Sequence, residues 1–301
     1  MSTEEAATPG IEASAQEYDL SGPRSTDKHY YLLQTEVATH SSKGVLKSTD
    51  IFRERLICEP GSPGEPDTFT CTRFSVLRDD SPEVTIPSLK GFSYEVNKSL
   101  LDKAGLDEQR QLYGIPEAQF EDLVDSTGEK LPFEVAYQVY SAFFYYHGYT
   151  DYAEPSVQGK GVQHLAKRGD KIVHDAAFAE TVIPGSLAGK GSFWKNGEVT
   201  LEFKVLAEVD GKPCAVLRLD WGECTWAMPM TIMRLMRLKT KGVSTCRGDI
   251  YLDLESKWVR KLVMTLSENT VTTMWGIPVD RSKPETTLTI RAVSEEAFDG
   301  D

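Results

Sequence analysis

Alternating apolar and polar residues predict three β-strands early in the chain. In KHYYLLQTEVATH (28–40), Tyr31 and Leu33 alternate with polar neighbours, and this period of two indicates a half-buried strand. TDIFRERLICEP (49–60) and DTFTCTRFSVLRDD (67–80) have a similar pattern, and a segment rich in glycine and proline joins them. The ordered part of the chain therefore begins as a series of strands.

The pairing of the second and third strands decides where two cysteines lie. If the numbers of facing residues sum to 129, Cys58 faces Cys71. If they sum to 128, Arg55 faces Arg73, and this like-charge pair is unfavourable. The first register is therefore favoured, while the sequence leaves open whether the two thiols are bonded.

The middle of the chain has helical signals. PEAQFEDLVDS (116–126) starts with proline and carries acids early, both signs of a helix start. In LPFEVAYQVYSAFFYYHG (131–148), Pro132 opens a helix and Gly148 closes it. Apolar side chains surround most of this helix, which predicts that helix 132–147 is buried on most sides.

Strands return after residue 192, and one hairpin signal is especially strong. Asp210-Gly211 lies between two alternating segments, and this dipeptide favours a two-residue turn. The turn predicts that Val205 faces Val216 and that Ala207 faces Cys214. Short connections between the later strands predict an antiparallel meander, built from CTWAMPM, GVSTCRGDIYLDL, WVRKLVMTLS, VTTMWG and TTLTIRAVS.

Three carboxylates, Asp249, Asp253 and Glu255, lie close together in GDIYLDLESKWVRKL. They could form an acid/base pair, whose members should flank a substrate and see different environments. A two-residue turn at 256–257 instead places Asp253 opposite Arg260, as a cross-strand ion pair. The hairpin is the favoured interpretation of this segment.

These elements predict an α+β fold dominated by β-structure. A long, curved antiparallel sheet, a half-barrel, wraps the buried apolar helix. Residues 1–27 are predicted to be a disordered acidic tail, because they offer little to bury. Residues 28–295 form one α+β domain, with strands in 28–90, a helical interlude in 98–150 and the strand meander in 193–295.

Charge and targeting signals narrow the function. The net charge of −13 repels phosphate backbones, so nucleic acid is not an expected partner. The chain contains no apolar run of the ~18 residues that a membrane span requires. Its start lacks a signal peptide, which predicts the cytoplasm, or the periplasm or secretion if the sequence has been trimmed.

Motifs for catalysis and cofactors are absent from the sequence. The segment GSLAGKGS (185–192) lacks the spacing of a phosphate-binding loop. The five cysteines form no CxxC or zinc pattern, and GxSxG and HExxH do not occur. We therefore expect no cofactor and no metal. An enzyme remains an alternative only if a base such as His147, His164 or His174 meets other polar groups in three dimensions.

One segment concentrates methionine and positive charge. WAMPMTIMRLMRLKTKG (226–242) holds four of the seven methionines, followed by lysine and arginine. Methionine adapts to varied apolar partners, so the segment is a candidate for the lip of a ligand pocket or for a surface that binds a protein partner. Ordinary packing of these methionines into the core is the alternative.

The C-terminal half resembles uncharacterised bacterial proteins in which a G-x-x-x-x-D-L-E-S pattern, here GDIYLDLES, precedes a strand with tryptophan. The predicted layout is similar to the lipoprotein-carrier fold of the LolA/LppX type. This resemblance implies an apolar ligand held on the concave side of the sheet, without bond chemistry. The chain differs from that group in having no signal peptide and no lipobox cysteine near its start.

The preferred function is non-enzymatic binding of an apolar or amphipathic ligand, such as a lipid, or of a partner segment in the concavity. The alternatives are the histidine-based enzyme, for example a hydrolase, and a structural or interaction subunit with a filled core. A large apolar cavity, a polar pocket or a packed interior would distinguish the three. The candidate lining residues are Tyr137, Tyr140, Phe144, Trp226, Met228, Met230 and Trp275.

Overall fold

An open antiparallel sheet of 13 strands organises the protein. The structure is a computed structural model that describes residues 16–62, 65–79, 81–96, 115, 117–156, 159–182, 191–232 and 236–300. The strands are β1 (His29–Ser41), β2 (Leu46–Glu59), β3 (Asp67–Arg78), β4 (Val84–Thr85), β5 (Phe92–Val96), β6 (Lys171–Val173), β7 (Glu180–Val182), β8 (Phe193–Lys195), β9 (Val199–Val209), β10 (Lys212–Ile232), β11 (Met236–Asp253), β12 (Val259–Met274) and β13 (Ile277–Val293).

Helices are few in the described part of the chain. The long helix α1 spans Phe133–Thr150, and a short C-terminal helix, α2, spans Glu295–Gly300. The same described residues include 3₁₀ turns at Pro87–Leu89, Glu117–Phe120, Asp151–Ala153 and Val162–His164.

The strand order explains the shape of the sheet. It runs β4-β3-β2-β1-β13-β12-β11-β10-β8-β7, with β5 beside β3, β9 beside β10 and β6 beside β9. The first strand of the chain, β1, pairs with the last one, β13. The N-terminal strands therefore lie beside the C-terminal meander in the same sheet. The path has two ends that do not pair with each other, so the curved sheet stays open.

Helix α1 lies across the concave side of this sheet. On one side of the helix, the Tyr146 ring packs 5.1 Å from Tyr31 of β1 and 5.3 Å from Phe69 of β3, between ring centroids. On the other side, Tyr149 packs 5.4 Å from Trp221 of β10. The predicted α+β fold, with a curved sheet around a buried helix, is confirmed.

The helix begins where proline predicts but continues beyond its predicted end. Pro132 is its N-cap, whereas Gly148 lies inside the last turn. Tyr149 and Thr150 are 6% and 4% exposed, so burial outweighs the poor helix propensity of glycine. The other predicted helix, at 116–126, is wrong in extent, because only Glu117–Phe120 forms a 3₁₀ turn. Pro116 lies outside the described residues.

The hairpin between β9 and β10 matches its prediction. Val205 pairs with Val216, and Cys214 pairs with Ala207. The turn residues Asp210 and Gly211 have φ angles of +50° and +77°, the left-handed conformation that such a two-residue turn requires.

The favoured register between β2 and β3 is wrong. Arg55 faces Arg73, and a bulge after Arg55 then moves Cys71 opposite Leu56. Cys58 therefore faces Phe69 rather than Cys71, and no disulfide joins the two cysteines. The arginine pair is tolerated because Arg73 is exposed and the Arg55 guanidinium donates a 2.8 Å hydrogen bond to the carbonyl of Phe298.

The predicted ion pair between Asp253 and Arg260 does not form. Asp253 is 2% exposed, and its Oδ1 accepts hydrogen bonds from the backbone N–H groups of Glu255 (2.8 Å) and Ser256 (3.0 Å). The pairing of β11 with β12 near this turn differs from the register that would place Asp253 opposite Arg260, because Leu252 faces Val259. Asp253 thus shapes the turn between β11 and β12, which supports the hairpin interpretation by a different contact.

Asp249, the neighbouring carboxylate, is the one that forms a cross-strand ion pair. Its Oδ2 accepts a hydrogen bond of 2.8 Å from Nη2 of Arg218 on β10. Glu255 lies 3.3 Å from Lys212 at the surface. Each of the three carboxylates therefore has a structural partner.

The structure packs residues 16–27, the described part of the predicted tail, against the rest of the protein, and we call them the N-terminal strap. Leu20 is 2% exposed, and the backbone N–H of Tyr18 donates to the carbonyl of Ala166 (2.8 Å). The indole of Trp258 donates to the carbonyl of Ser25 (2.9 Å). The strap is therefore part of the folded domain, while residues 1–15 lie outside the described residues.

Arg24 attaches the strap to three elements. Its guanidinium bonds Asp67 at 2.8 Å and Glu154 at 3.2 Å, and its Cζ lies 4.2 Å from the ring centroid of Trp258. Asp67 is 4% exposed, so the loss of its charged partner leaves a buried carboxylate poorly compensated.

Replacing Arg24 with alanine is expected to lower the free energy of unfolding by about 1–3 kcal/mol. Chemical denaturation measures this change. The matched control is Arg247→Ala, since Arg247 is exposed and pairs with Asp220 at the surface, where a salt bridge contributes about 0–1 kcal/mol. Equal losses in the two variants would contradict an anchored strap.

Candidate functional site

The space between α1 and the sheet is filled. Two cavities between α1 and the sheet are small, and the one beside Phe69 and Tyr146 has a volume of about 10 Å³, roughly the space that one water molecule needs. Its lining residues are Phe69, Tyr146, Thr150, Ala153, Glu154, Lys257, Trp258 and Val259. Within the described part of the chain, neither cavity can enclose a drug-sized or lipid-sized ligand.

A second surface, which we call the distal ribbon, extends past the end of β1. It consists of residues 225–232 of β10, 236–243 of β11, 269–274 of β12 and 277–282 of β13. The last pair between β1 and β13 is Ser41 with Ser282, so these four strands continue beyond the neighbouring hairpin.

Three cross-strand rows cover the inner face of the distal ribbon, the face directed towards the side of the sheet that α1 covers. Burial along β12 alternates, with Leu262, Met264 and Leu266 directed inwards, and the same alternation assigns the rows to this face. The rows are Trp226–Gly242–Thr270, Met228–Thr240–Thr272 and Met230–Leu238–Met274.

This inner face combines apolar side chains with partial exposure. Met228, Leu238 and Met274 are half-buried, and the hydroxyls of Thr240 and Thr272 are hydrogen-bonded to each other at 2.9 Å. Such a surface can bury further apolar area when a ligand covers it. The side chain of Met230 lies outside the described part of the structure.

Trp226 is held flat against the sheet by its neighbours. A Cβ atom added at Gly242 would lie 2.2 Å from the Trp226 ring, so only glycine leaves room for the indole there. The indole Nε1 donates a 2.9 Å hydrogen bond to Oε1 of Glu268. Trp226 therefore has a fixed orientation and presents an apolar surface of defined shape.

Glu268 is the titratable group of this face. Burial raises its pKa to about 7, although the hydrogen bond from Trp226 acts in the opposite direction. On the helix side, burial and then the Glu268 carboxyl raise the pKa of Tyr145. The site thus places one carboxyl group, which changes charge near neutral pH, within a largely apolar surface.

The structure brings only part of the predicted lining together. Trp226 and Met228 lie in adjacent rows of the ribbon. Half-buried Tyr137, like Glu268, contributes to the raised pKa of Tyr145. Trp275 instead lies at the tip of the β12–β13 hairpin and is 68% exposed.

The remaining predicted residues, Tyr140 and Phe144, pack against each other. Tyr140 is 5% exposed and packs 5.0 Å from Phe120 and 4.7 Å from Phe144, between ring centroids. It therefore belongs to the core, and Phe144 lies at the margin of that core as a half-buried residue.

Glu268 and Tyr145 were missed at the sequence level. The signal for Glu268 was available, because a period of two from Leu262, Met264 and Leu266 places the acid at the next inward position. An acid at an inward position of a strand is unusual and indicates either a partner or a function.

The candidate histidines do not form a catalytic arrangement among the described residues. His147 is fully buried, with Nε2 at 3.0 Å from the Tyr94 hydroxyl, and His164 is exposed. His174 lies 2.8 Å from Asp175, and the nearby Ser156 hydroxyl bonds that same aspartate rather than the histidine. The Ser156 hydroxyl is therefore paired with a carboxylate and not with an imidazole base such as His174.

Metal sites, membrane-spanning helices and similarity to known proteins were also considered, and none of them assigns a function. The described residues contain no group of three His, Cys, Asp or Glu side chains that could hold a metal ion, and no described helix is long and apolar enough to span a bilayer. Comparison of the chain with protein-family models and with curated proteins finds no match.

Proposed function

We propose that this protein binds an apolar or amphipathic ligand, without chemistry, on the inner face of the distal ribbon. The observation that carries the proposal is the half-buried, methionine-rich face around Trp226 and Glu268. Partly exposed apolar side chains gain free energy when they are covered, by about 25 cal/mol for each Å². One polar group within such a face would orient an amphipathic ligand.

The ligand would lie against the open ribbon rather than inside a closed chamber. The packing of α1 leaves no room beneath it for a chain-like molecule, within the described residues. Methionine side chains adapt to different shapes, so the face would accept a class of apolar molecules rather than one compound.

An interaction subunit with a filled core is the second candidate. The filled space beneath α1 favours it. In that case the ribbon would receive an apolar segment of a protein partner, and small amphiphiles would bind weakly or not at all.

Titration with laurate distinguishes the two candidates. We expect saturable binding by the wild-type protein in isothermal titration calorimetry. Met228→Asp should weaken binding by ~10-fold or more, because it places a charge in an apolar contact. The control is Val205→Asp on β9, since Val205 is already 45% exposed and lies outside the ribbon. Wild-type protein that fails to bind, or Met228→Asp that binds equally well, would contradict the proposal.

The same titration has a defined pH dependence. Glu268 has a pKa of about 7, so its carboxyl is neutral below this pH and can donate a hydrogen bond to the laurate carboxylate. Above it, two negative charges oppose each other, and binding should weaken by ~10-fold between about pH 6 and pH 8. Glu268→Gln should bind equally at both pH values. A pH dependence retained in Glu268→Gln would assign it to another group.

A further inference from the structure

Exposed apolar side chains gather at the ends of two hairpins. At the β12–β13 turn, Trp275, Ile277 and Val279 are 68%, 67% and 51% exposed. At the β1–β2 turn, Val45 and Leu46 are 65% and 55% exposed. Large apolar residues with this much exposure, clustered at one end, mark a surface that meets a partner.

The β1–β2 hairpin ends beside β13 at the level of Ser282, and the turn at Trp275 lies ~20 Å further along the longer hairpin. Nζ of Lys47 on β2 is 2.9 Å from Oδ1 of Asp280 on β13, across the end of the intervening strand β1. Beyond this contact, the exposed apolar side chains of the longer hairpin form one end of the sheet. We call this end the apolar tip and define it as Trp275, Ile277 and Val279.

Turn geometry does not explain the tryptophan. Trp275 has φ = +50°, and Gly276 follows with φ = +84°. Asparagine or glycine adopts the first of these positions at little cost, whereas a bulky side chain there is strained. An exposed indole in a strained turn position indicates a role in recognition.

Positive charge surrounds the apolar tip in a chain whose net charge is −13. On the outer face, Lys241 and Arg281 both pair with Val271 and flank it from the two neighbouring strands. The described residues of 39–47, 238–243 and 270–283 contain a single acid, Asp280, which is paired with Lys47. The cations around the tip are Lys43, Lys47, Lys239, Lys241, Arg281 and Lys283.

We propose that the apolar tip docks on an anionic lipid surface. Tryptophan favours the boundary between headgroups and acyl chains, and the surrounding lysines and arginines attract acidic headgroups. The rest of the acidic protein is repelled by the same surface, so the tip is the end that faces the bilayer. The tip adjoins the inner-face ligand site, because Ile277 pairs with Met274, and docking does not require a ligand on that face.

Vesicle flotation with the full chain tests the proposal. Wild-type protein should float with phosphatidylcholine vesicles that contain a quarter phosphatidylglycerol, and should bind pure phosphatidylcholine at least ~10-fold more weakly. Raising the salt concentration should release it, because the attraction of exposed charges is screened.

Two sets of variants define the contact. Trp275→Ser combined with Ile277→Ser should reduce binding to the anionic vesicles at least ~10-fold, and Lys241→Glu combined with Arg281→Glu should do the same. The control is Val173→Ser on β6, since Val173 is 46% exposed and is not part of the tip. All sites are at the surface, and circular dichroism verifies that the variants fold.

Wild-type protein that remains unbound with both vesicle types would overturn the proposal. So would a Trp275→Ser/Ile277→Ser variant that floats as well as the wild type. A concentration-dependent dimer in vesicle-free solution that disappears in this variant would assign the tip to a second copy of the chain instead. Laurate binding without vesicles is measured separately, so failure of docking and failure of the ligand proposal can be told apart.

Discussion

Replacing Phe143 with alanine is expected to lower the free energy of unfolding by about 3–5 kcal/mol. Phe143 is 0% exposed and packs 5.7 Å from Phe74 and 5.4 Å from Phe120, between ring centroids. Removal of this ring leaves a cavity where α1 meets both β3 and the 3₁₀ turn at 117–120. Urea denaturation at a fixed pH measures the loss.

The adjacent aromatic residue is the matched control. Phe144 is half-buried, so Phe144→Ala removes less buried surface and should cost clearly less than Phe143→Ala. The sequence pattern alone could not rank these two residues, because both are apolar positions of a helix that is apolar nearly all round. Equal losses in the two variants would mean that the orientation of α1 is wrong.

Replacing Glu54 with leucine is expected to raise the stability of the protein by at least about 2 kcal/mol at neutral pH. Glu54 is 3% exposed on the inner face of β2, and neither carboxyl oxygen has a hydrogen-bond partner among the described residues. Leucine has a similar size and carries no polar group that must be desolvated.

The effect should depend on pH in a defined direction. Burial raises the pKa of Glu54 well above its ordinary value, so the folded state holds a proton that the unfolded state releases above ~pH 5. Wild-type stability should therefore fall as pH rises from this value, by up to ~1.4 kcal/mol for each pH unit, until the folded carboxyl itself ionises. Glu54→Leu should lack this component.

Denaturation of both proteins between about pH 5 and pH 8 checks the pH effect. Glu36→Gln on β1 is the control, because Glu36 is half-buried on the opposite face and its replacement leaves Glu54 in place. If the difference between wild type and Glu54→Leu stays constant with pH, Glu54 has a partner that keeps it charged in the fold.

Local chemistry was sufficient to predict some parts of the fold. The Asp210-Gly211 turn determines its own register, because both residues must adopt positive φ angles that few other residues accept. The start of α1 at Pro132 follows from the same kind of local rule. These elements could be predicted since the information lies within a few residues.

Other parts depend on contacts that are distant in sequence. The polar composition of the strap predicts a free tail, yet Arg24 forms ion pairs with Asp67 and Glu154, which are distant in sequence. The register of β2 and β3 depends on a bulge, and that of β11 and β12 depends on the buried Asp253. Tertiary contacts of this kind leave no local signal.

The candidate site shows the same division. Trp226 and Met228 were predictable because alternation along one strand places them on one face. The separation of Trp275 from this face was not, since it depends on how far the hairpin extends beyond its neighbours. Glu268 could have been identified from the period of β12, whereas its neighbour Tyr145 required knowledge of how α1 crosses the sheet.

Native mass spectrometry of freshly purified protein tests the central claim most directly. If the inner face of the distal ribbon binds apolar molecules, part of the wild-type protein should carry an added mass of a few hundred daltons, roughly that of a lipid, which denaturation releases. Met228→Asp should carry much less of it, and Val205→Asp should match the wild type. Wild-type protein with no added mass even after incubation with laurate, or equal adducts in all three proteins, would contradict binding at this face.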